Sequence, residues 1–438
     1  MIGVIGLLIA IAALVILSYK GLNAFIASLI AAAIVAVTNW LPFWPSITGD
    51  YANAMRAFVG SYFLQFGLGA AYGEFMKVSG AAESVAAKLF KLCGTKMAAV
   101  AALLVTLILA LGGISAFVIV FAIYPIAAPL FRKANISKNY LPGIVLAASV
   151  SLCLAFPGNP TLTNALLTQP QYNLGTNAYA APIMGTIIGL LGLVLGSLYL
   201  KIVSGRDVEK GIGYVVSGSD AIEAIEDKSL PPFATSIIPI ITVIVMMFIL
   251  KSMMPALHTI LTSLLTAMFL NVLLNYKTLK GKIVKTFVNG FWNSIPATFL
   301  TGGVMGFAGV VQIAPAFQYF INFANSLTTT FNPYVSAVFA VNVVAGITGT
   351  ALGGLQIFAN LMLPNYLATG INPAAFHRIM VIACCGLDTL PHCATFILMC
   401  SVCGVTPRDS YKHVFVLTVI IPFIMTAVGI LLTFAGIV

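Results

Sequence analysis

Two acidic residues fall inside apolar segments of this sequence, and they are the first candidates for chemistry. Of its eleven acidic residues, only Glu74 and Asp388 lie in such segments. An ionisable group in apolar surroundings is expensive, so it is usually paired or functional. Lys77 follows Glu74 at the spacing of neighbours on a helix face, so an ion pair accounts for Glu74. Asp388 lies at a break beside Thr389, which favours a role in binding a substrate or coupling ion over capping the next helix.

His392 lies four residues after Asp388 and is a second candidate. An imidazole titrates near neutral pH, so it can relay a proton or hydrogen-bond a substrate, or it can simply satisfy local carbonyl groups. Cysteines surround it in the sequence, but their spacing matches no familiar zinc pattern. We predict no metal site. The cysteines are Cys384, Cys385, Cys393, Cys400 and Cys403.

Four breaks made of glycine, proline and hydroxyl residues interrupt the apolar segments, two in each half of the chain. They lie at 112–116, 157–161, 346–350 and 388–392. In a bilayer, non-helical backbone is tolerated only where protein or a watery cavity satisfies its N–H and C=O groups. We therefore expect the breaks to converge on a cavity. Paired broken helices in two halves of a chain indicate the binding site of a transporter.

The polar groups at the breaks predict two kinds of binding residue. Half-helix N-termini carry partial positive charge and free N–H groups, which suit a carboxylate without any arginine; the same oxygens also suit Na⁺. Asp388 and His392 are predicted to bind a coupling ion, H⁺ or Na⁺. The predicted substrate-binding residues are Gly113, Ser115, Pro157, Gly158, Asn159, Thr161, Thr163, Thr348, Gly349, Thr350 and Thr389.

The composition requires a membrane environment for these residues. The chain has 438 residues, of which 60% are hydrophobic and 7% charged, and its mean hydropathy is +1.06. These values exclude a soluble domain. Apolar windows of helical length predict an all-α polytopic membrane protein, and no alternating strands of an outer-membrane barrel are visible. Residues 1–18 have no basic start, so we expect a retained helix rather than a cleaved signal peptide.

The sequence lacks the motifs of the common enzymes and nucleic-acid binders. It has no Walker-A loop, HExxH, G-x-S-x-G or paired CxxC motif, so we predict no enzyme activity and no cofactor. The net charge of +10 comes from basic residues in short connectors, not from one patch with interleaved aromatics. We therefore expect no nucleic-acid partner.

The apolar segments occur in the same order in both halves of the chain. We predict a first repeat at 1–201, a cytoplasmic linker at 202–231 and a second repeat at 232–438. The first repeat comprises scaffold helices in 1–92, a re-entrant hairpin at 97–131, a broken helix at 141–168 and a helix at 179–201. The second comprises scaffold helices in 235–328, a hairpin at 333–367, a broken helix at 376–402 and a helix at 414–436. The arms of the first hairpin are predicted to be too short to cross the bilayer.

This layout gives ten crossings and two hairpins. Each repeat has five crossings, an odd number, so the second repeat inserts upside down. Lysine and arginine concentrate in cytoplasmic loops. With the N-terminus outside, only Arg56, Lys251 and Arg378 of the 21 basic residues fall on the outer side. We therefore predict that both termini face outward.

Three motifs resemble the gluconate permease family of organic-anion:cation symporters, within the ion-transporter superfamily. They are the glycine-rich third span from Phe66 to Ala81, the first hairpin ending at Tyr124-Pro125-Ile126, and the proline loop at 156–161. The resemblance covers most of the chain. It implies symport of a small sugar acid or hydroxy acid with a cation, usually H⁺, across the bacterial cytoplasmic membrane, by a homodimer whose hairpin-bearing domains move against a scaffold.

Two departures from the family pattern favour a smaller acid than gluconate. Asn159 stands where the family loop has a histidine, and the loop at 387–393 reads Leu-Asp-Thr-Leu-Pro-His-Cys. We therefore predict an importer of a small organic monocarboxylate that works by alternating access of the elevator type. A cation/proton antiporter is the alternative, although such exchangers usually place more carboxylates in the membrane. A membrane-embedded lipid-modifying enzyme is a further alternative, but it needs clustered acids and histidines.

Overall fold

The structure, a computed structural model, is all-helical, as the composition predicts. It describes residues 2–112, 116–159, 161–216, 230–250, 253–326 and 331–438, and no strand occurs in these ranges. Lipid offers no partner for backbone polar groups, so apolar segments satisfy them internally by forming helices.

The helices of the two halves have the following bounds. In the first half they are α1 Ile2–Tyr19, α2 Ala24–Thr38, α3 Ala52–Val78, α4 Ala81–Leu111, α5 Ala116–Ala134, α6 Leu141–Leu146, α7 Cys153–Ala155, α8 Leu162–Leu166 and α9 Pro182–Glu209. In the second half they are α10 Phe233–Leu250, α11 Ala256–Leu274, α12 Tyr276–Leu279, α13 Ile283–Asn293, α14 Ile295–Ile313, α15 Pro315–Ser326, α16 Pro333–Thr348, α17 Ala351–Leu361, α18 Leu363–Leu367, α19 Pro373–Ala383, α20 Ala394–Cys403, α21 Pro407–Phe415 and α22 Ile421–Phe434.

Three π-helical segments and two short 3₁₀ turns accompany the helices in the part of the chain that the structure describes. The π segment Pro45–Tyr51 precedes α3, Ala147–Leu152 joins α6 to α7, and Val416–Ile420 joins α21 to α22. The 3₁₀ turns are Lys138–Tyr140 and Pro170–Tyr172. Two π segments therefore lie inside long membrane helices, where a shifted hydrogen-bond ladder frees backbone groups for other partners.

Eight helices within the described ranges are long and apolar enough to cross a membrane. They are Ile2–Tyr19, Ala81–Leu111, Ala116–Ala134, Lys138–Ala155, Pro182–Glu209, Leu257–Leu274, Ile283–Ile313 and Pro407–Phe434. The chain is thus a polytopic membrane protein. Six further apolar helices are shorter, and α16, α17, α19 and α20 are among them.

The first predicted hairpin has longer arms than expected. Its second arm, α5, has 19 residues, which at 1.5 Å per residue spans about 28 Å, close to the thickness of the hydrocarbon core. The two arms pack along each other, but α5 is not too short to cross. The length argument for re-entry is therefore wrong for this arm.

A helix also lies between α3 and the first predicted hairpin. α4 begins at Ala81 and runs into the hairpin, but Gly94 interrupts it with φ 65° and ψ −177°. This backbone conformation is essentially restricted to glycine. Gly80, at the start of α4, also has a positive φ, 76°. The segment 81–93 is therefore a separate helical arm bounded by two glycines.

The helices before each hairpin pack in matching pairs. α1 packs on α2 and α10 on α11, while α2 packs on α14 and α11 on α3; α3 also contacts α13 and α14. Small residues permit the closest contacts, as is usual between membrane helices. A Cβ on Gly290 would lie 2.5 Å from the Cα of Ala71, and one on Gly306 would lie 2.9 Å from the Tyr51 ring.

The hairpins and broken helices pack together in the rest of the molecule. α5 contacts α6 and α20, α16 contacts α19, α8 contacts α17, and α9 packs on α22. This arrangement brings the described parts of the predicted breaks into one region.

Candidate functional site

The hairpin of the second half is a tight helix–turn–helix. Gly349 forms the turn with φ 64°, the left-handed conformation that favours glycine, and its N–H donates to Ala345 O at 2.8 Å. The two arms approach at backbone distance, because a Cβ on Gly354 would lie 2.5 Å from the Cα of Ala345. The turn that was predicted from Gly346 to Thr350 is thus placed at the end of two short, closely packed helices.

The break between α19 and α20 packs directly against this hairpin. Asn342 of α16 accepts a hydrogen bond from the Leu387 N–H at 3.0 Å, and its own amide donates to Val338 O at 2.9 Å. A Cβ on Gly386 would lie 2.3 Å from the Asn342 Oδ1. Asn342 therefore satisfies broken backbone that the membrane cannot satisfy.

The two predicted coupling residues lie at this contact. Asp388 is 4% exposed and His392 2% exposed. Asp388 lies beside the backbone N–H of Ala351 at the start of α17. The His392 ring lies beside the carbonyl group of Gly346, and a Cβ on Gly349 would be 3.2 Å from its Cδ2. Both side chains therefore lie against the hairpin turn.

Polar atoms of both residues remain without hydrogen-bond partners in the part of the chain that the structure describes. They are the Oδ1 of Asp388 and both ring nitrogens of His392. A buried polar atom without a partner costs about 1–3 kcal/mol, and more when it is charged. Such atoms are able to bind a proton, a cation or a polar ligand group.

The threonines of this half make bonds within the protein. Thr348 donates to Val344 O at 2.9 Å, one helical turn earlier. Thr389 is hydrogen-bonded to Thr418 at 2.6 Å, and Thr418 donates to Val414 O at 2.8 Å. The Thr389 hydroxyl group therefore donates its proton to Thr418, which lies in the π segment of the last helix. Thr350 precedes α17 and makes no side-chain capping bond.

The break of the first half is held by bonds among its own residues. Asn159 donates to Phe156 O at 3.0 Å and accepts from the Thr161 hydroxyl at 2.6 Å. The Thr161 hydroxyl also accepts from the Asn164 N–H at 3.4 Å, so it caps α8. Gly158 has φ 75° and donates its N–H to Ala178 O at 2.9 Å. These contacts shape the loop and use much of its polar capacity.

Pro157 and Thr163, which were also predicted to bind substrate, take no part in these hydrogen bonds. Pro157 lies within the loop, and Thr163 is half-buried on α8. Gly113 and Ser115, which were predicted to bind substrate from the tip of the first hairpin, lie outside the described residues.

Contacts between the halves bring the two broken helices together. The thiol of Cys385 donates to Val150 O at 2.9 Å, and Val150 belongs to the π segment between α6 and α7. Tyr172 donates to Asn360 Oδ1 at 3.0 Å. Two π segments therefore hold the break at 384–393: Ala147–Leu152 through Val150, and Val416–Ile420 through Thr418.

Arg378 and His377 are buried next to the first break, and neither is among the predicted site residues. Arg378, which the charge distribution places on the outer side, is 0% exposed inside α19. Its guanidinium donates to Leu154 O at 2.8 Å, to Ala180 O at 2.8 Å and to Ala178 O at 3.0 Å. An ionisable residue in an apolar span, the signal used for Asp388, applies equally to these two bases.

His377 continues the network towards the loop. Its Nδ1 is 2.7 Å from the Thr176 hydroxyl and its Nε2 is 3.0 Å from Asn164 Oδ1. Asn164 donates its amide to Asn159 O at 2.8 Å. Because that amide donates, its oxygen accepts, so His377 carries its proton on Nε2 and accepts from Thr176.

A separate cavity of about 650 Å³ opens between α3, α5, α13 and the end of α20. Its lining includes Glu74, Lys77, Glu83 and Arg132, and Arg132 forms an ion pair with Glu83. No predicted substrate or coupling residue is among the lining residues.

Comparisons with known proteins identify one family. Residues 2–435 match the family described as GntP family permease. The chain is 29% identical over 458 aligned positions to an uncharacterised transporter, YxjC, of Bacillus subtilis, covering 94% of this chain and 95% of the relative. It is 30% identical over 258 positions to an uncharacterised permease of Haemophilus influenzae, covering 56% of this chain and 50% of that protein. The chain therefore belongs to the GntP permease family of membrane transporters.

Proposed function

We propose that this protein imports a small organic monocarboxylate, a sugar acid or short hydroxy acid, together with a cation, in the first place H⁺. The proposal rests chiefly on Asp388 and His392. These two side chains are buried against a hairpin turn, and three of their polar atoms have no partner among the described residues. Ionisable groups at such a position inside a membrane usually bind ions or protons.

The coupling step follows from the charge of Asp388. An ionised, unpaired carboxylate opposes movement of its helices through the membrane, and binding H⁺ or Na⁺ removes that charge. The bound cation therefore permits the hairpin that carries the substrate to move across the membrane. His392 offers a second polar group at the same turn. This gives a cation-gated elevator movement of the hairpins and broken helices against the remaining helices.

The carboxylate is proposed to bind where the hairpin tips meet the breaks. α17 and α20 begin at this place, and their first N–H groups suit an anion. The proposed substrate site keeps Gly113 and Ser115, the loop Pro157, Gly158, Asn159, Thr161 and Thr163, and the turn Thr348, Gly349 and Thr350. Thr389 is left out of the proposed substrate site. Its hydroxyl proton is bound to Thr418, so it supports the break instead of donating to the substrate.

We also propose the inverted arrangement of ten crossings and two hairpins, with both termini outside a bacterial cytoplasmic membrane, in a homodimer. The matching helix pairs support the repeat. Exchanging the halves converts the pair α1–α2 into α10–α11 and the contact α2–α14 into α11–α3. These pairings are what two copies of one unit related by a two-fold axis require, and the odd number of crossings proposed for each copy gives the copies opposite orientations.

Uptake by reconstituted vesicles tests the proposal. Purified protein in proteoliposomes is supplied with labelled glycolate, L-lactate, D-glycerate or D-gluconate under an imposed pH gradient, Na⁺ gradient or neither. We expect at least one acid to accumulate faster under one gradient than without it. No gradient-stimulated uptake of any acid, together with dye-reported Na⁺/H⁺ exchange, would establish the antiporter instead.

A further inference from the structure

We propose that Arg378 is a positioning residue that gives the substrate site its preference for anions. This inference rests on the proposed function and adds a charge to it. The site residues predicted from the sequence are neutral or acidic, and backbone N–H groups alone were expected to bind the carboxylate. The structure adds a buried positive charge beside the first break.

The guanidinium of Arg378 is fixed by carbonyl groups from two separate segments. The first segment is the end of α7 and the start of the break, where Leu154 O is 2.8 Å and Phe156 O is 3.5 Å from Nη1. The second is the turn before α9, where Ala178 O and Ala180 O accept from Nη2 and Nε. Arg378 thus joins the break to the turn and uses its rigid fork of donors.

The close approach of α9 to Arg378 depends on a glycine. A Cβ on Gly185 would lie 3.2 Å from the Arg378 Nε and 2.6 Å from Ala155 O. The neighbouring His377 reaches the same loop through Asn164, which donates to Asn159 O. Arg378 therefore acts on the loop from Phe156 to Asn159 through the backbone, without itself being aimed at a ligand.

No carboxylate neutralises this charge within the described chain. The hydrogen-bond partners of Arg378 among the described residues are backbone carbonyls, and the ion pair found in these ranges joins Arg132 to Glu83. Carbonyl dipoles solvate a guanidinium, but they leave its net charge in place. A buried charge of this kind favours an anion nearby, and a substrate carboxylate at the adjacent loop supplies one.

A purely structural role is the competing explanation. The helix Lys138–Ala155 ends at Arg378, and a basic side chain at a helix C-terminus stabilises its last carbonyl groups. The two explanations differ in what they predict for uncharged ligands. A cap affects carboxylates and neutral analogues equally, whereas a field acts on carboxylates alone.

The experiment compares charged and uncharged competitors of transport. In proteoliposomes, uptake of the labelled acid is inhibited by L-lactate or lactamide, and by D-gluconate or gluconamide, for wild type, Arg378→Gln, Arg378→Lys and the exposed-site control Arg56→Gln. For a carboxylate bound roughly 8–10 Å from a unit charge, an effective dielectric constant near 20 gives a change in carboxylate preference of roughly 10- to 30-fold. We expect Arg378→Gln to lose that much preference for the acid over its amide, while Arg56→Gln loses none.

The lysine variant separates charge from folding. Arg378→Lys keeps the positive charge but loses most of the guanidinium N–H donors. We therefore expect a lower maximal rate, with the acid-to-amide preference retained within about threefold. Loss of this preference in Arg378→Lys overturns the inference, even when Arg378→Gln does not fold. A folded Arg378→Gln with the wild-type preference overturns it too. Wild-type protein that takes up none of the acids contradicts the proposed function itself.

Discussion

At the scale of single residues, Asp388 and His392 differ from the other predicted site residues that the structure describes in having fully buried polar atoms without a hydrogen-bond partner. The bonds of Asn159, Thr161 and Thr389 are made within the protein, so these side chains shape the breaks. Among the described site residues, the buried polar atoms without a partner belong to the second half of the chain.

Thr389→Val tests whether this threonine binds substrate or supports the break. Valine keeps the shape and removes the bond to Thr418, so we expect a loss of about 1 kcal/mol in stability and an unchanged KM for uptake. Thermal unfolding in detergent and uptake kinetics measure the two effects. A large rise in KM with unchanged stability would restore Thr389 to the substrate site.

His392→Gln tests the imidazole at the hairpin turn. Glutamine keeps a polar group but cannot take up a proton near neutral pH. We expect gradient-driven uptake to fall about tenfold, the value of roughly one hydrogen bond of 1.4 kcal/mol. The exposed His258→Gln is the control and should transport like wild type. Equal uptake by both variants would remove His392 from the coupling site.

At the scale of elements, the second hairpin and its break act as one unit because Asn342 joins them. Asn342→Ala leaves the Leu387 N–H without its acceptor in a buried position. We expect a loss of about 1–3 kcal/mol in stability and a fall in uptake. The exposed Asn322→Ala serves as control, and both are measured by thermal unfolding and proteoliposome uptake. An Asn342→Ala protein as stable and active as the control would show that the break does not need this contact.

The sequence was informative where local chemistry determines structure. Clusters of glycine, proline and hydroxyl residues favour the ends of helices, so the turn at Gly349 and the breaks near Asn159 and Asp388 coincide with gaps between the observed helices. The arm at 81–93 was not predicted as a separate element within the scaffold region 1–92, because its charged residues resemble those of a loop. The roles of Asn342 and Arg378 were missed because their partners are distant in sequence and are brought near only by packing.

At the scale of the whole molecule, the proposed inverted topology fixes which segments face the cytoplasm. An epitope at the C-terminus should bind antibody on intact spheroplasts, because both termini are proposed to face outward. An epitope inserted between 217 and 229 should bind only after permeabilisation, since the linker is proposed to be cytoplasmic. The opposite pattern would invert the topology, and binding of both epitopes on intact cells would contradict an odd number of crossings between them.

In the proposed mechanism, a cation at Asp388 is coupled to movement of the carboxylate. Asparagine at this position has nearly the same shape and cannot hold the charge or the proton.

The most direct test compares two modes of transport in Asp388→Asn proteoliposomes, with Glu74→Gln as the matched control. The first is uptake driven by a pH or Na⁺ gradient, and the second is exchange of labelled for unlabelled acid with no gradient. We predict that Asp388→Asn loses gradient-driven uptake and keeps exchange, while Glu74→Gln keeps both. Gradient-driven uptake at the wild-type level in Asp388→Asn would contradict the coupling role of Asp388.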